Sequence, residues 1–257
     1  MRKKQTWFRN PAFRKALSLA IDREAIARLV YRGRAAPVGG HVTPANRRFH
    51  DPSIVPPATS PDAARTILGE AGFSWVGEWL HDPSGEPVEL TVVTNSSNSR
   101  RVETATVIQQ DVKRLGIAMQ VVPLDFGALL DRVYDTFDYE IGLLGLGRGG
   151  LDPNSSLNVW LSSGDSHLWR LNGDGPDSPW QERLDALLAE QMTELDVDRR
   201  RLLLMEIQRE VATGAPFLFL VAPNVLVGAK EHLGNFRPVA VASSPAWNAD
   251  YLFWREP

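Results

Sequence analysis

Apolar residues first recur at helical spacing in Phe13, Ala16, Leu17 and Ala20, directly after Asn10-Pro11, a capping residue followed by proline at the first helical position. Asp22 caps a second predicted helix, Arg23–Tyr31, with Ile26, Leu29 and Val30 as its stripe and Gly33 as its stop. From Ala35 to Pro61 the periodicity lapses among six prolines (37, 44, 52, 56, 57 and 61), so a long irregular connection is expected, of the kind that carries function or covers another surface. Ser60-Pro61-Asp62 opens a third helix that ends at Gly72. Val88–Thr94 then reads as a strand, Arg100–Leu115 as a helix closed by Gly116, and Ile117–Leu124 as a strand. Asp125 caps a short helix to about Tyr134, and Tyr139–Leu146 reads as a third strand. The strands are nearly continuous in apolar residues, which suits a parallel sheet buried on both faces by helices. Pro179–Leu195 and Asp198–Thr213 predict a helical hairpin, with Leu184, Leu187, Leu188 and Met192 facing Leu202, Met205, Ile207 and Val211. The remainder alternates short apolar runs (Phe217–Val221, Val225–Val227, Val239–Val241) with breaks at Pro223, Gly228 and Pro238, and reads as strands and loops without helix.

Charge and composition then narrow the function classes. The 257 residues carry 31 acidic against 28 basic side chains, a formal charge of −3, so the basic excess of a nucleic-acid surface is lacking. No run of 18 apolar residues is present, the length a spanning helix needs. Arg2, Lys3 and Lys4 resemble the start of a signal peptide, but Gln5, Thr6, Arg9 and Asn10 follow in place of an apolar stretch. The sequence contains no cysteine, which excludes disulfides, thiolate metal sites and a cysteine nucleophile. Only five of the basic residues are lysine, an excess of arginine read as coding bias.

Few constellations carry chemistry. Gly145, Gly147 and Gly150 match G-x-G-x-x-G after a predicted strand, but Leu151-Asp152-Pro153 stands where a helix should open, so the segment reads as a flexible ligand-facing turn. The five histidines (41, 50, 81, 167 and 232) form no compact metal-ligand pair, and no nucleophile elbow is present. Neither a metal nor a cofactor is expected. Eight tryptophans are more informative, because aromatic residues near element ends either plug the core or line a ligand cleft. Trp160 and Trp169 flank the glycine-rich turn and are the candidates for the cleft.

Several stretches together resemble the solute-binding proteins of ABC importers, in the large peptide/nickel-binding family. Asn10–Gly33 (NPAFRKALSLAIDREAIARLVYRG) resembles that family's Arg-x-Ala-Leu…Ala-x-Asp-Arg helix pair. Ser60–Phe73 (SPDAARTILGEAGF) resembles its segment ending in Ala-Gly-Phe. Gly85–Thr94 and Ile108–Leu124 resemble two of its strand units, and Phe137-Asp138 and Asp152-Pro153 bracket its cleft loop. The pattern Asp198-x-x-Arg201…Gln208…Pro216 resembles its late helices, and Trp247-Asn248 its terminal Trp-Asn.

The resemblance implies an α/β fold: a lobe of the type II periplasmic-binding-protein kind, with a largely parallel sheet flanked by helices and a C-terminal segment of short strands. It also implies a truncated chain, in which residues 1–223 form the second lobe and residues 224–257 return to a first lobe absent here. The implied function is binding of a small solute, such as a peptide or an oligosaccharide, between two lobes that close on a hinge and present the ligand to a membrane permease. The implied location is periplasmic or extracellular, at the membrane. Gly147, Arg148, Gly149, Asp152, Asn154, Trp160 and Trp169 are the expected ligand-binding residues. Peptide-binding members place an aspartate shortly before the loop's proline to hold the ligand's ammonium group. Gly149 and Gly150 occupy that region here, Arg148 brings the opposite charge, and recognition of a free peptide N-terminus is in doubt. The alternatives are a peptide-binding regulator or chaperone on the same fold, and an enzyme using the Arg148/Asp152 loop.

Overall fold

The computed structural model describes residues 2–146, 150–169, 175–239 and 246–255, with the backbone alone for residues 2–5. The chain opens with α1 (Arg2–Arg9), which the apolar pattern did not announce, and α2 (Pro11–Ala20), where the Asn10 side chain accepts from Ala12 N–H as the cap requires. The predicted second helix starts as α3 (Arg23–Ala25), capped by Asp22, and continues as a wider π turn over Ile26–Val30. After β1 (Ala35–Pro37) and the proline-rich connection comes α4 (Pro61–Glu70), capped by Ser60. An antiparallel hairpin of β2 (Ser74–Val76) and β3 (Trp79–His81) turns on Gly77-Glu78 and was not foreseen.

The three-stranded parallel sheet is present, in the order β5-β4-β6. Central β4 (Glu89–Asn95) leads through α5 (Ser99–Lys113) to β5 (Ala118–Leu124), with Glu89 opposite Ala118 and Asn95 opposite Leu124. After α6 (Phe126–Leu130) and a π turn to Asp135 the chain returns as β6 (Ile141–Gly142), beside Val92 and Val93. Alternation along β4 buries both faces. Leu90 and Val92 join Ala105, Ile108 and Val112 of α5 in the main core, while Val93 packs with Leu129 and Val133 on the other side. The crossover closes at Gly116, whose φ is +83° and whose added Cβ would lie 2.4 Å from the Glu78 carbonyl oxygen. Its own carbonyl accepts from Leu80 N–H at 2.8 Å, which seats the hairpin against the end of α5.

The third strand is shorter than Tyr139–Leu146. The Glu140 carboxylate takes the Thr91 N–H at 2.7 Å, occupying a donor that a longer ladder would use. On the other side Leu143 N–H still reaches Val93 O, and Thr94 Oγ1 donates to Leu143 O.

The second half is helical. After α7 (Leu157–Trp160), α8 (Pro179–Thr193) and α9 (Val197–Gly214) form the expected hairpin around Leu184, Leu187, Leu188, Leu203, Leu204, Ile207 and Val211. Met192 and Leu202, expected inside, are exposed: Met192 stands in the last turn of α8, and Leu202 falls off the face of α9 that buries Leu203, Leu204, Ile207 and Val211. Gln208 donates to Phe49 O at 2.7 Å and accepts from Asp51 N–H at 3.2 Å, so the proline-rich connection is laid over α9.

The tail departs from the pattern. Among the described residues its ladder pairing is confined to β7 (Val221–Pro223), antiparallel to β1, and to β8 (Leu233–Gly234) with β9 (Phe253–Trp254). Phe217–Leu220 and Val225–Val227 are outside any ladder, and a short 3-10 turn spans Ala249–Tyr251. Residues 240 and 241 of the third expected run lie outside the described residues. Runs of three apolar residues set no register by themselves, and here the partner strand decides pairing.

Candidate functional site

Between the sheet with its opening helices and the α8–α9 hairpin lies an open trough of about 2930 Å³. One wall is the sheet side: Ile141–Leu146 at and beyond the carboxyl end of β6, and Arg100, Arg101 and Thr104 in the first turns of α5. The other is aromatic. Trp160, Trp169, Phe217 and Phe219 line it, and Phe217 meets the two tryptophans edge to face as aromatic quadrupoles favour, at 85° to Trp160 and 82° to Trp169, with centroids 5.6 and 5.3 Å apart. His41 joins from the proline-rich connection with its ring 4.5 Å from that of Trp160, and His167 lies 3.7 Å from Trp169.

Helix α8 fixes this wall. Gln181 Nε2 donates to Trp160 O at 3.0 Å and to Asp185 Oδ1 at 2.9 Å, and Asp185 accepts from Ser162 N–H and Ser162 Oγ. Trp160 itself is only 2% exposed. Its Nε1 and the Nδ1 of His41 are buried without a hydrogen-bond partner among the described residues, an uncommon state for such groups. Burial pushes the His41 imidazole down to about 3, so it is neutral at physiological pH.

The loop after β6 divides in its allegiance. Gly145, Leu146, Gly150 and Pro153 border the trough, whereas Asp152 and Asn154 are engaged with the helical hairpin. Arg200 grips Asp152 bidentately at 2.7 and 2.8 Å, and the hydrogen bonds from Arg200 hold its carboxyl below the usual range. Gln191 Nε2 donates to Asn154 Oδ1 at 2.6 Å, Asn154 N–H donates to Asp152 Oδ1, and Asn46 Nδ2 donates to Leu151 O. Trp160 and Trp169, expected in the cleft from sequence, both line the trough. Gly147, Arg148 and Gly149 lie outside the described residues. Sequence reading passed over His41, Arg100, Arg101, Phe217 and Phe219. The alternation Phe217-x-Phe219 was a usable signal; His41, inside an aperiodic stretch, offered none. Among the described residues no group of histidines and carboxylates could hold a metal ion, and no helix is long and apolar enough to cross a membrane.

Comparison with known proteins places this geometry. A "Probable ABC transporter-binding protein" of Deinococcus radiodurans is 28% identical over 232 residues, 85% of this chain and 39% of its own length. An oligopeptide-binding protein, AppA, of Bacillus subtilis is 22% identical over 239 residues, 91% of this chain and 42% of its own. The solved structure of the Bacillus subtilis AppA in complex with a nonapeptide superposes with a TM-score of 0.78 at 20% identity, covering 98% of this chain and 49% of that one. The fold is that of a type II periplasmic binding protein, and the chain spans less than half the length of these relatives. Residues 1–167 match the family described as bacterial extracellular solute-binding proteins, family 5 Middle. The chain belongs to that family of solute-binding proteins.

Proposed function

We propose that this chain is the larger part of one lobe of the solute-binding component of an ABC importer, and that its trough is one side of the ligand cleft. The observation that carries the reading is the position of the trough: it opens beyond the carboxyl end of a parallel strand, where ligands of open α/β sheets bind, and an aromatic wall faces it. Residues 1–223 then act as the second lobe, and residues 224–257 extend to a first lobe carried by a longer protein. The cleft loop at 147–154 meets the solute with its glycine-rich part, Gly147, Arg148 and Gly149. Asp152 and Asn154 hold it to α8 and α9, and Trp169 supplies apolar surface with the buried Trp160 behind it. Closure of the two lobes on a hinge presents the loaded form to a membrane permease outside the cytoplasm. Binding, with no bond made or broken, is the whole activity in this reading. Among the described lining residues no histidine is hydrogen-bonded to a hydroxyl, and the one Ser–carboxylate contact, Ser178 Oγ to Asp177 Oδ1, has no histidine beside it to act as base, which favours binding over the enzyme alternative.

A thermal-shift screen against peptides, oligosaccharides and metal chelates tests the reading, because a solute that binds the folded state raises its melting temperature. Stabilisation by one class, abolished by Trp169→Ala, is the expected result. A protein indifferent to every class, or stabilised equally with and without Trp169, would contradict it.

A further inference from the structure

The charges left unpaired on the trough wall among the described residues are all positive, although one buried acceptor there, Asn46 Oδ1, also lacks a partner. Among the described residues five arginines line it, Arg9, Arg14, Arg47, Arg100 and Arg101, against two carboxylates, Glu140 and Asp177. Asp177 faces Arg14, whose two terminal nitrogens are taken by the Phe8, Arg9 and Gly214 carbonyls while its Nε is buried without a partner among the described residues. Glu140 is engaged by Thr91 N–H, and Asp152, at the edge of the loop, is neutralised by Arg200. Arg47, Arg100 and Arg101 make no ion pair among the described residues; Arg100 lies over the Tyr31 ring at 5.7 Å, and the Arg101 guanidinium lies beside Gly145, where an added Cβ would stand 3.0 Å from it. The helix opposes this placement: Arg100 and Arg101 sit in the first turn of α5, which has no acidic residue, where the helix dipole disfavours cations. A local rule broken without local compensation points to a function. The buried Trp160 Nε1 is a further donor without an acceptor, and the neutral imidazole of His41 adds no charge of its own.

We infer that the solute taken by this trough is an anion rich in acceptor oxygens, a carboxylate or phosphate carried on an apolar or aromatic body, with Arg100 and Arg101 receiving the charge and the half-buried Trp169 and Phe217, backed by the buried Trp160, receiving the body. The inference rests on the solute-binding reading above and adds to it the sign and chemistry of the ligand. Guanidinium meets carboxylate and phosphate in a planar fork, and such bonds are stronger than neutral ones.

One peptide scaffold in three charge states tests it: N-acetyl-Ala-Phe as the free acid (−1), its C-terminal amide (0), and Ala-Phe amide with a free amine (+1). Inorganic phosphate serves as the bare anion. Each is titrated into the 257-residue chain at low ionic strength and followed by backbone amide chemical shifts, which read weak binding. The acid is expected to bind at least about tenfold more tightly than the amide, about 1.4 kcal/mol, and to lose that margin in added salt. Phosphate shifting the same α5 amides would show that the bare charge suffices; silence from phosphate beside a bound acid assigns the site to carboxylates. The Arg100→Gln/Arg101→Gln double variant should bind acid and amide alike with the amide affinity unchanged, and Arg199→Gln, at the tip of the helical hairpin, should keep the margin. Acid and amide bound equally by the native chain, a preference for the cation, or an undiminished margin in the double variant overturns the inference and leaves the solute-binding reading standing. Shifts from none of the four probes overturn the inference, and the solute-binding reading then stands or falls on the thermal-shift screen.

Discussion

His41 shows how a single side chain sets a pH response. Its folded-state value is depressed to about 3 by burial against Trp160 and Phe219, while an unfolded chain titrates near 6.5. As pH falls below about 6.5 the unfolded state takes up a proton that the folded state refuses, so stability declines, by at most about 1.4 kcal/mol per pH unit, until about pH 3. Urea unfolding at pH 7 and pH 5 should show this loss, and His41→Gln should flatten it. Asp82 adds a second, lower window. It accepts from Trp7 Nε1, Ser84 N–H, Ser84 Oγ and Glu86 N–H, and these bonds outweigh its burial and hold it at about 2. Its contribution is complete above about pH 4 and disappears as pH falls through 2; Asp82→Ala should cost about 2 kcal/mol at neutral pH and remove that acid-side loss. Gly214 is tested by volume alone. A Cβ there would stand 2.5 Å from the Trp180 ring, so Gly214→Ala should lower stability by about 1–3 kcal/mol, read as a shifted urea midpoint with unchanged slope.

At the scale of elements, Arg23 ties the opening helices to the returning chain. Buried in the core, it donates to Phe219 O, Ser18 O and Ser18 Oγ, with no carboxylate nearby, and its value is pushed down to about 10. Arg23→Met should cost about 3 kcal/mol by leaving those acceptors buried and unpaired, and Arg23→Lys should recover little, since one ammonium cannot span the fork. Differential hydrogen exchange would locate the loss at β1 and β7, the ladder this arginine sits beneath. The legible elements are those whose signals are local. Asn10, Asp22, Ser60 and Asp125 each announce a helix because the side chain that caps it is two or three residues away. Parallel β4, β5 and β6 show as apolar runs because both faces are buried. What stayed hidden depends on distant partners: the true length of β6, decided by Glu140 reaching Thr91, and the pairing of β1 with β7, which unites residues nearly two hundred positions apart. The candidate site divides in the same way. Tryptophans near a glycine-rich turn are visible in sequence. The capture of Asp152 by Arg200 and the meeting of His41 with Trp160 belong to tertiary structure alone.

For the whole molecule the account predicts a weak binder. A cleft shared by two lobes covers roughly 70–90% of a small ligand, and one lobe supplies about half of that while the rigid-body entropy cost of association remains. Halving an interaction of about −8 kcal/mol moves a dissociation constant from roughly micromolar to roughly millimolar, so calorimetry should find the 257-residue chain about a thousandfold weaker than a two-lobed chain with the same residues. The most direct test of the trough itself is hydrogen exchange with mass spectrometry, in the presence and absence of the most stabilising solute. The account predicts slowed exchange in three stretches that line the trough, residues 38–47, 141–146 and 217–225, with the exposed tip of the α8–α9 hairpin unchanged. Protection at that tip, or anywhere away from the trough while those three stretches exchange as before, would contradict it.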